Sequence, residues 1–124
     1  MKTEKRKDKL LINRHDCLFV VDVPDINWVE ALGSYSVLHC RGGEEIRVSV
    51  PIGVLAAQLD ETVFCRLSRS MILNTDAIRT VRKEQQEGKP LRTVVMTDGT
   101  AFPLSSKGTY SELLRFLESR LVLV

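Results

Sequence analysis

Short segments rich in β-branched and aromatic residues, each closed by turn-forming residues, recur from Lys9 to Leu104 and constrain this chain more than any other feature. KLLIN, CLFVVDV, INWVEAL, YSVLHC and EEIRVSV follow one another, divided by Asn13 to Asp16, Pro24-Asp25, Gly33-Ser34 and Gly42-Gly43. Branched and aromatic side chains suit a pleated, half-buried surface, whereas Gly, Pro, Asn and Asp supply the dihedrals of tight turns. The pattern predicts strands, and an antiparallel meander is the simplest path through them. PIGVLAAQLD breaks the rhythm: Pro51 suits a first helical turn, and Ile52, Leu55, Ala56 and Leu59 recur at helical spacing. Strand character returns in VFCRL, SMILN and AIRTVRK. KEQQEGKP then reads as a polar loop, and LRTVVMT, Asp98-Gly99 and TAFPL as a hairpin around the strongest turn signal in the chain.

The C-terminus reads as a helix. Thr109 and Glu112 have the spacing of a capping box, and Tyr110, Leu113, Leu114, Leu117 and Leu121 share one apolar face. The expected fold is therefore mainly β, antiparallel, with about ten short strands and two short helices. With 124 residues and 44% hydrophobic content, one domain burying about two-thirds of its unfolded surface is expected. Its bounds are read as a charged leader or linker end over residues 1–9, the domain over 10–120 and an apolar tail over 121–124. No run approaches the roughly 20 apolar residues of a membrane span, and MKTEKRKDKL has no apolar signal core, so a cytoplasmic protein is expected.

The net charge of +2 hides a division along the chain. Residues 1–9 hold five bases against two acids, residues 10–63 three against eight, residues 64–83 five against one, and the remainder balances. A near-neutral total excludes an indiscriminate polyanion binder, while a local patch of Arg66, Arg69, Arg79, Arg82 and Lys83 suffices for a few phosphates. Cys17, Cys40 and Cys65 lack zinc spacing, and their odd count points to buried hydrophobes in a reducing compartment, with Cys40 open to pairing if exposed.

Catalysis finds little support. His15 and His39 stand far apart without metal spacing, Gly42-Gly43 lacks the Lys and helix of a phosphate loop, and Ser68-Arg69-Ser70 is not a hydrolase elbow. No catalytic residue, metal or cofactor is expected. VFCRLSRSMILN is more informative. Strict alternation puts Arg66, Ser68 and Ser70 on one side and Leu67, Arg69 and Met71 on the other; a loop at Leu67 to Arg69 instead frees an arginine tip for guanine O6 and N7, with the hydroxyls at phosphates. The plainer alternative is a solvated strand edge. Trp28, Phe64, Phe102 and Phe116 sit in apolar runs and read as core rather than a base-stacking platform.

Several of these segments together resemble the LytTR domain. Ile26-Asn27-Trp28-Val29-Glu30-Ala31 and Gly33-Ser34-Tyr35 match its opening pattern, and Val54 to Leu59 its short helix. Phe64, Arg66, Arg69, Ser70, Met71 to Leu73, Asn74 and Ile78 match its most specific segment. Val94 to Met96, Asp98-Gly99, Ser105 and Lys107 match its last strands and the approach to its terminal helix, with Ser106 where many members carry a base. The resemblance implies an elongated β-fold serving in bacteria as the DNA-binding output half of response regulators and related transcription factors.

It also implies readout of major grooves by three loops, carried here by Ser34 and Tyr35, by Arg69, and by Lys107 in place of a usual arginine. Arg66, Ser68, Ser70, Arg79, Arg82, Lys83 and Ser106 are then candidate phosphate contacts, while Ser105 either bonds a phosphate or closes its own turn. Expected partners are double-stranded DNA, a second copy on direct repeats and, if the chain is an excised output domain rather than a small stand-alone regulator, an upstream receiver or sensor domain. Two rivals remain at this point: an interaction β-domain that docks a partner through its terminal helix and the RLVLV tail, and a small hydrolase or ligand-binding β-domain.

Overall fold

Alternation along the third strand, where Trp28 and Val29 face opposite ways, sets the architecture: two hydrophobic cores lie on the two faces of one sheet. The computed structural model describes residues 5–104 and 107–124. Among these residues the order is β1 (Lys9–Asn13), β2 (Leu18–Asp22), β3 (Ile26–Leu32), β4 (Tyr35–Cys40), β5 (Glu45–Val48), α1 (Ile52–Gln58), β6 (Phe64–Ser68), β7 (Met71–Asn74), β8 (Ile78–Gln86), β9 (Lys89–Met96), β10 (Ala101–Leu104) and α2 (Lys107–Arg120). All strand pairs are antiparallel. The mainly β fold with two helices agrees with the expectation.

The central sheet has the order β5-β4-β3-β7-β6. This departs from a meander, because β7 pairs with β3 and so places β6 at the edge, while β1 and β2 pair only with each other. Val29, Leu38, Ile46, Val48 and Ile72 turn to one face, where the β1–β2 hairpin and α1 cover them. Trp28, Cys65, Leu73 and Met71 turn to the other, against the β10-β9-β8 sheet and Leu113 of α2. Trp28 meets Phe102 edge-on at 5.0 Å and stacks on His39 at 4.4 Å, so His39 is structural; its Nε2 lies 3.0 Å from Glu30.

Two local expectations fail for physical reasons. KEQQEGKP is no loop: β8 and β9 run through it to a turn at Glu87-Gly88, both with positive φ. The hairpin projects past the core there, so neither face needs apolar residues and the alternating signal disappears. Thr109 is not a helix cap, because α2 begins two residues earlier. The Asp98-Gly99 turn does form, with Thr100 N donating to the Asp98 carboxylate at 2.9 Å.

Cys40 and Cys65 are buried, and burial pushes both thiols up to about 11, whereas Cys17 is exposed in the β1–β2 turn and corrects the expectation of three buried cysteines. Since the thiolate is the reactive form, a maleimide at pH 8 is expected to modify Cys17 alone in the native protein and all three in denaturant. Equal native labelling of Cys65 would contradict the burial that holds its proton.

Candidate functional site

Arg69 and Ser70 form the turn that joins β6 to β7, and a bulge at Leu67 interrupts the pairing between Arg66 and Ser68. The extra residue breaks alternation and re-aims the strand end. Arg66 is spent on the turn itself: its guanidinium donates to the carbonyls of Ser68 at 3.2 Å and Arg69 at 3.5 Å. Ser68 Oγ accepts from the Ser70 backbone N–H at 3.2 Å and lies 3.3 Å from Ser70 Oγ. With its carbonyl and hydroxyls held in this way, the turn presents the exposed Arg69 side chain, which makes no hydrogen bond or ion pair to the described residues.

A second turn lies beside it. Gly33-Ser34 joins β3 to β4 with Gly33 at φ 67°, the left-handed conformation glycine adopts without strain. Because β3 and β7 are antiparallel, the Ala31 N–H donates to the Ser70 carbonyl at 2.9 Å, and the two turns share one end of the sheet. Ser34 is exposed there, and Tyr35 is half-buried under the Arg47 guanidinium, 5.0 Å from its ring centroid.

Arg120, near the C-terminal end of α2, donates to the Glu61 carbonyl at 3.3 Å just before β6 starts, and α2 begins at Lys107. Ser105 and Ser106 lie outside the described residues. The strand register continues the basic surface: Leu104 pairs with Arg92, and Arg92 with Lys83. Arg92 covers the Tyr110 ring of α2 at 5.2 Å.

The other basic candidates are not brought together. Lys83 shares a strand face with Val81, which packs on the second core, while Arg82 points to the opposite face, 4.0 Å from Glu84. Arg79 sits in a bulge at the start of β8, near the end where Thr97 N donates to the Ala77 carbonyl. Sequence reasoning missed Arg47 and Arg92. Register counted outward from the Gly42-Gly43 and Asp98-Gly99 turns places both, since the first faces Val37 and the second lies opposite Leu104.

The far end differs in charge. A groove there is lined by Asp8, Asp60, Asp76 and Asp98 together with Arg6 and Arg41. The hydroxyl and backbone N–H of Thr62 donate to the Asp60 carboxylate and hold it below the usual carboxylate range. No three His, Cys, Asp or Glu side chains converge as metal ligands among the described residues, and no described helix is long and apolar enough to cross a membrane.

Comparison with known proteins fits this geometry. The family model of the LytTr DNA-binding domain matches residues 16–117. Among solved structures, the LytTr DNA-binding domain of a methyl-accepting/DNA response regulator from Bacillus cereus superposes with a TM-score of 0.73 at 17% identity, over 91% of this chain and 99% of that one. No curated protein matches the chain.

Proposed function

This chain belongs to the LytTR family of DNA-binding domains, and from that premise we propose that it is the DNA-reading output domain of a bacterial transcription regulator. Residues 10–120 form the binding domain, preceded by the charged leader or linker end of residues 1–9. It binds double-stranded DNA in the cytoplasm by inserting loops, rather than a recognition helix, into major grooves, as two copies on direct repeats.

The observation that carries this reading is the Ala31 N–H bond to the Ser70 carbonyl, which sets the Gly33-Ser34 turn and the Arg69-Ser70 turn side by side at one end of the central sheet. Arg69, Ser34, Tyr35 and Lys107 read bases in this scheme. Ser68, Ser70, Ser105, Ser106, Lys83 and Arg82 contact phosphates, Arg66 contributes chiefly by holding its turn, and Arg79 adds only distant attraction.

Selection of bound fragments from random DNA at moderate salt, followed by sequencing, tests the reading. A recurring motif present in two copies at a fixed spacing is expected, and absence of any enriched motif overturns it. Arg82 separates positioning from readout. Arg82→Ala is expected to weaken selected and random DNA alike and to lower the slope of log K against log salt by about one. A loss confined to the selected site would make Arg82 a base reader instead.

A further inference from the structure

The groove at the end of the fold opposite the Gly33-Ser34 and Arg69-Ser70 turns encloses about 930 Å³, a volume typical of small-molecule sites. One set of bonds brings three polar side chains to it. Asn74 bonds the carbonyl of Ile26, the neighbour of Asn27, and also the Asp76 N–H. The Thr97 N–H donates to the Ala77 carbonyl at 2.7 Å, so the segments carrying Asp76 and Asp98 are adjacent. Asn27, Asp76 and Asp98 all line the groove, and Pro24, Val63 and Phe64 give it an apolar wall.

Asn27 is the member without an internal explanation. It is 6% exposed, and the pairing of β3 with β4 is interrupted by a bulge at it, between Ile26 and Trp28. Bulges re-aim side chains, and this one leaves Asn27 at the groove. Asn74, comparably buried, is bonded through both its amide nitrogen and its oxygen. The Asn27 amide has no hydrogen-bond partner in the fold, whereas nearly all buried polar side chains have one.

The charges around it are unevenly answered. Arg6 makes two bonds to Asp8 at 2.9 and 2.6 Å, Arg41 lies 3.8 Å from Asp25, and Lys7 adds its charge to the field at Asp60. Asp76 and Asp98 have no ion-pair partner among the described residues. The uncommitted groups are therefore two carboxylates and one buried amide beside an apolar wall. An ammonium or guanidinium carries only donors, which suits carboxylates and an amide oxygen, while an anion meets like charge there.

We propose that this groove binds an organic cation, an ammonium or guanidinium on an apolar stem, whose head donates to Asp76, Asp98 and the Asn27 amide oxygen while the stem lies against Pro24, Val63 and Phe64. The cation comes either as a free amine or as a lysine or arginine side chain on a peptide. The site lies away from the turns assigned to DNA, so it stands or falls separately from that reading.

Titration of the full chain with agmatine to about 10 mM at low salt, followed through its amide resonances, tests the site. Saturable shifts are expected at the Asn27 side-chain amide and at Ala77 and Thr97, weakening as salt rises. Asp76→Asn combined with Asp98→Asn, both at exposed positions, should weaken binding about tenfold or more. Asn27→Leu, similar in volume, should weaken it as well, and neutral butylurea should not bind.

Absence of saturable shifts at these residues, unchanged affinity in the double aspartate variant, or equal binding of butylurea would each overturn the proposal. So would shifts spread evenly over Glu84, Glu112 and Glu118, which mark unspecific counter-ion attraction. The double aspartate variant decides alone if Asn27→Leu does not fold. Acetyl-Ala-Arg-Ala-amide separates the two sources: tighter binding than agmatine at the same residues supports a peptide side chain as the occupant, and weaker binding supports a free amine.

Discussion

Arg69→Ala is expected to cost about 1–3 kcal/mol on the selected DNA site and less on random DNA, so that specificity relaxes. The residue stands at the tip of a turn whose carbonyls and hydroxyls are engaged by Arg66 and by Ser68 with Ser70, leaving its own guanidinium free of partners among the described residues. A guanidinium can donate two parallel hydrogen bonds to guanine, whereas an ammonium acts as a point charge. Arg69→Lys should therefore retain most of the affinity for random DNA and still lose discrimination.

Arg66→Ala supplies the contrast. It removes the two bonds to the turn carbonyls, so it should loosen the Arg69 position and weaken specific binding indirectly. Its cost should shrink when Arg69 is already Ala, a coupling that a double-mutant cycle measures. Competition titrations of each variant against selected and random fragments, with folding checked by circular dichroism, decide the matter. If Arg69→Ala leaves the ratio of the two affinities unchanged in a folded protein, the β6–β7 turn does not read bases.

The elements that proved legible in the sequence were those where one physical requirement governs the residues. Ile46 and Val48 alternate with the exposed Glu45 and Arg47 because β5 presents one side to the first core. Asp98-Gly99 announced its turn because the carboxylate can bond the backbone two residues on and glycine accepts a φ of 93°. The β8–β9 extension was hidden for the converse reason. Its outer residues, Glu84 to Pro90, face water on both sides, so strand pairing there depends on the neighbouring backbone and leaves no hydrophobic pattern.

Strand order was hidden at a different level. Insertion of β7 beside β3 brings together segments about 40 residues apart, and no local signal encodes such a pairing. The family resemblance supplied what local patterns could not. It pointed to Arg69 and to the region of Ser34, and the β3–β7 pairing is what sets those two turns side by side. Arg82 and Lys83, adjacent in sequence, point to opposite faces of β8 and so would meet different phosphates.

The residue that fastens this arrangement is Asn74, and its replacement is expected to have the largest effect on stability. It is 2% exposed and ends β7. Its amide donates to the Ile26 carbonyl at 2.8 Å, and its side-chain oxygen accepts from the Asp76 N–H at 2.9 Å, starting the short helical turn that leads into β8. One side chain thus ties the entry of β3 to the crossing from the central sheet to the outer one.

Asn74→Ala leaves the buried Ile26 carbonyl and the half-buried Asp76 N–H without their partner and should cost about 2–4 kcal/mol. Asn74→Asp keeps the acceptor and loses the donor, placing a carboxylate against the carbonyl it must replace the bond to, so about 3–5 kcal/mol is expected at pH 7. Its pH dependence identifies the cause. A carboxyl that is disfavoured in its charged form by the folded state has a folded pKa above its unfolded value, so the native state binds more protons and stability falls as pH rises between the two. Measured by urea unfolding against the wild type at each pH, the deficit of Asn74→Asp should therefore shrink on moving from pH 7 to pH 4.5, where a protonated carboxyl can donate to Ile26, while that of Asn74→Ala stays constant. An equal deficit for Asn74→Asp at both pH values would mean that the lost donation to the Ile26 carbonyl is not what destabilises the variant.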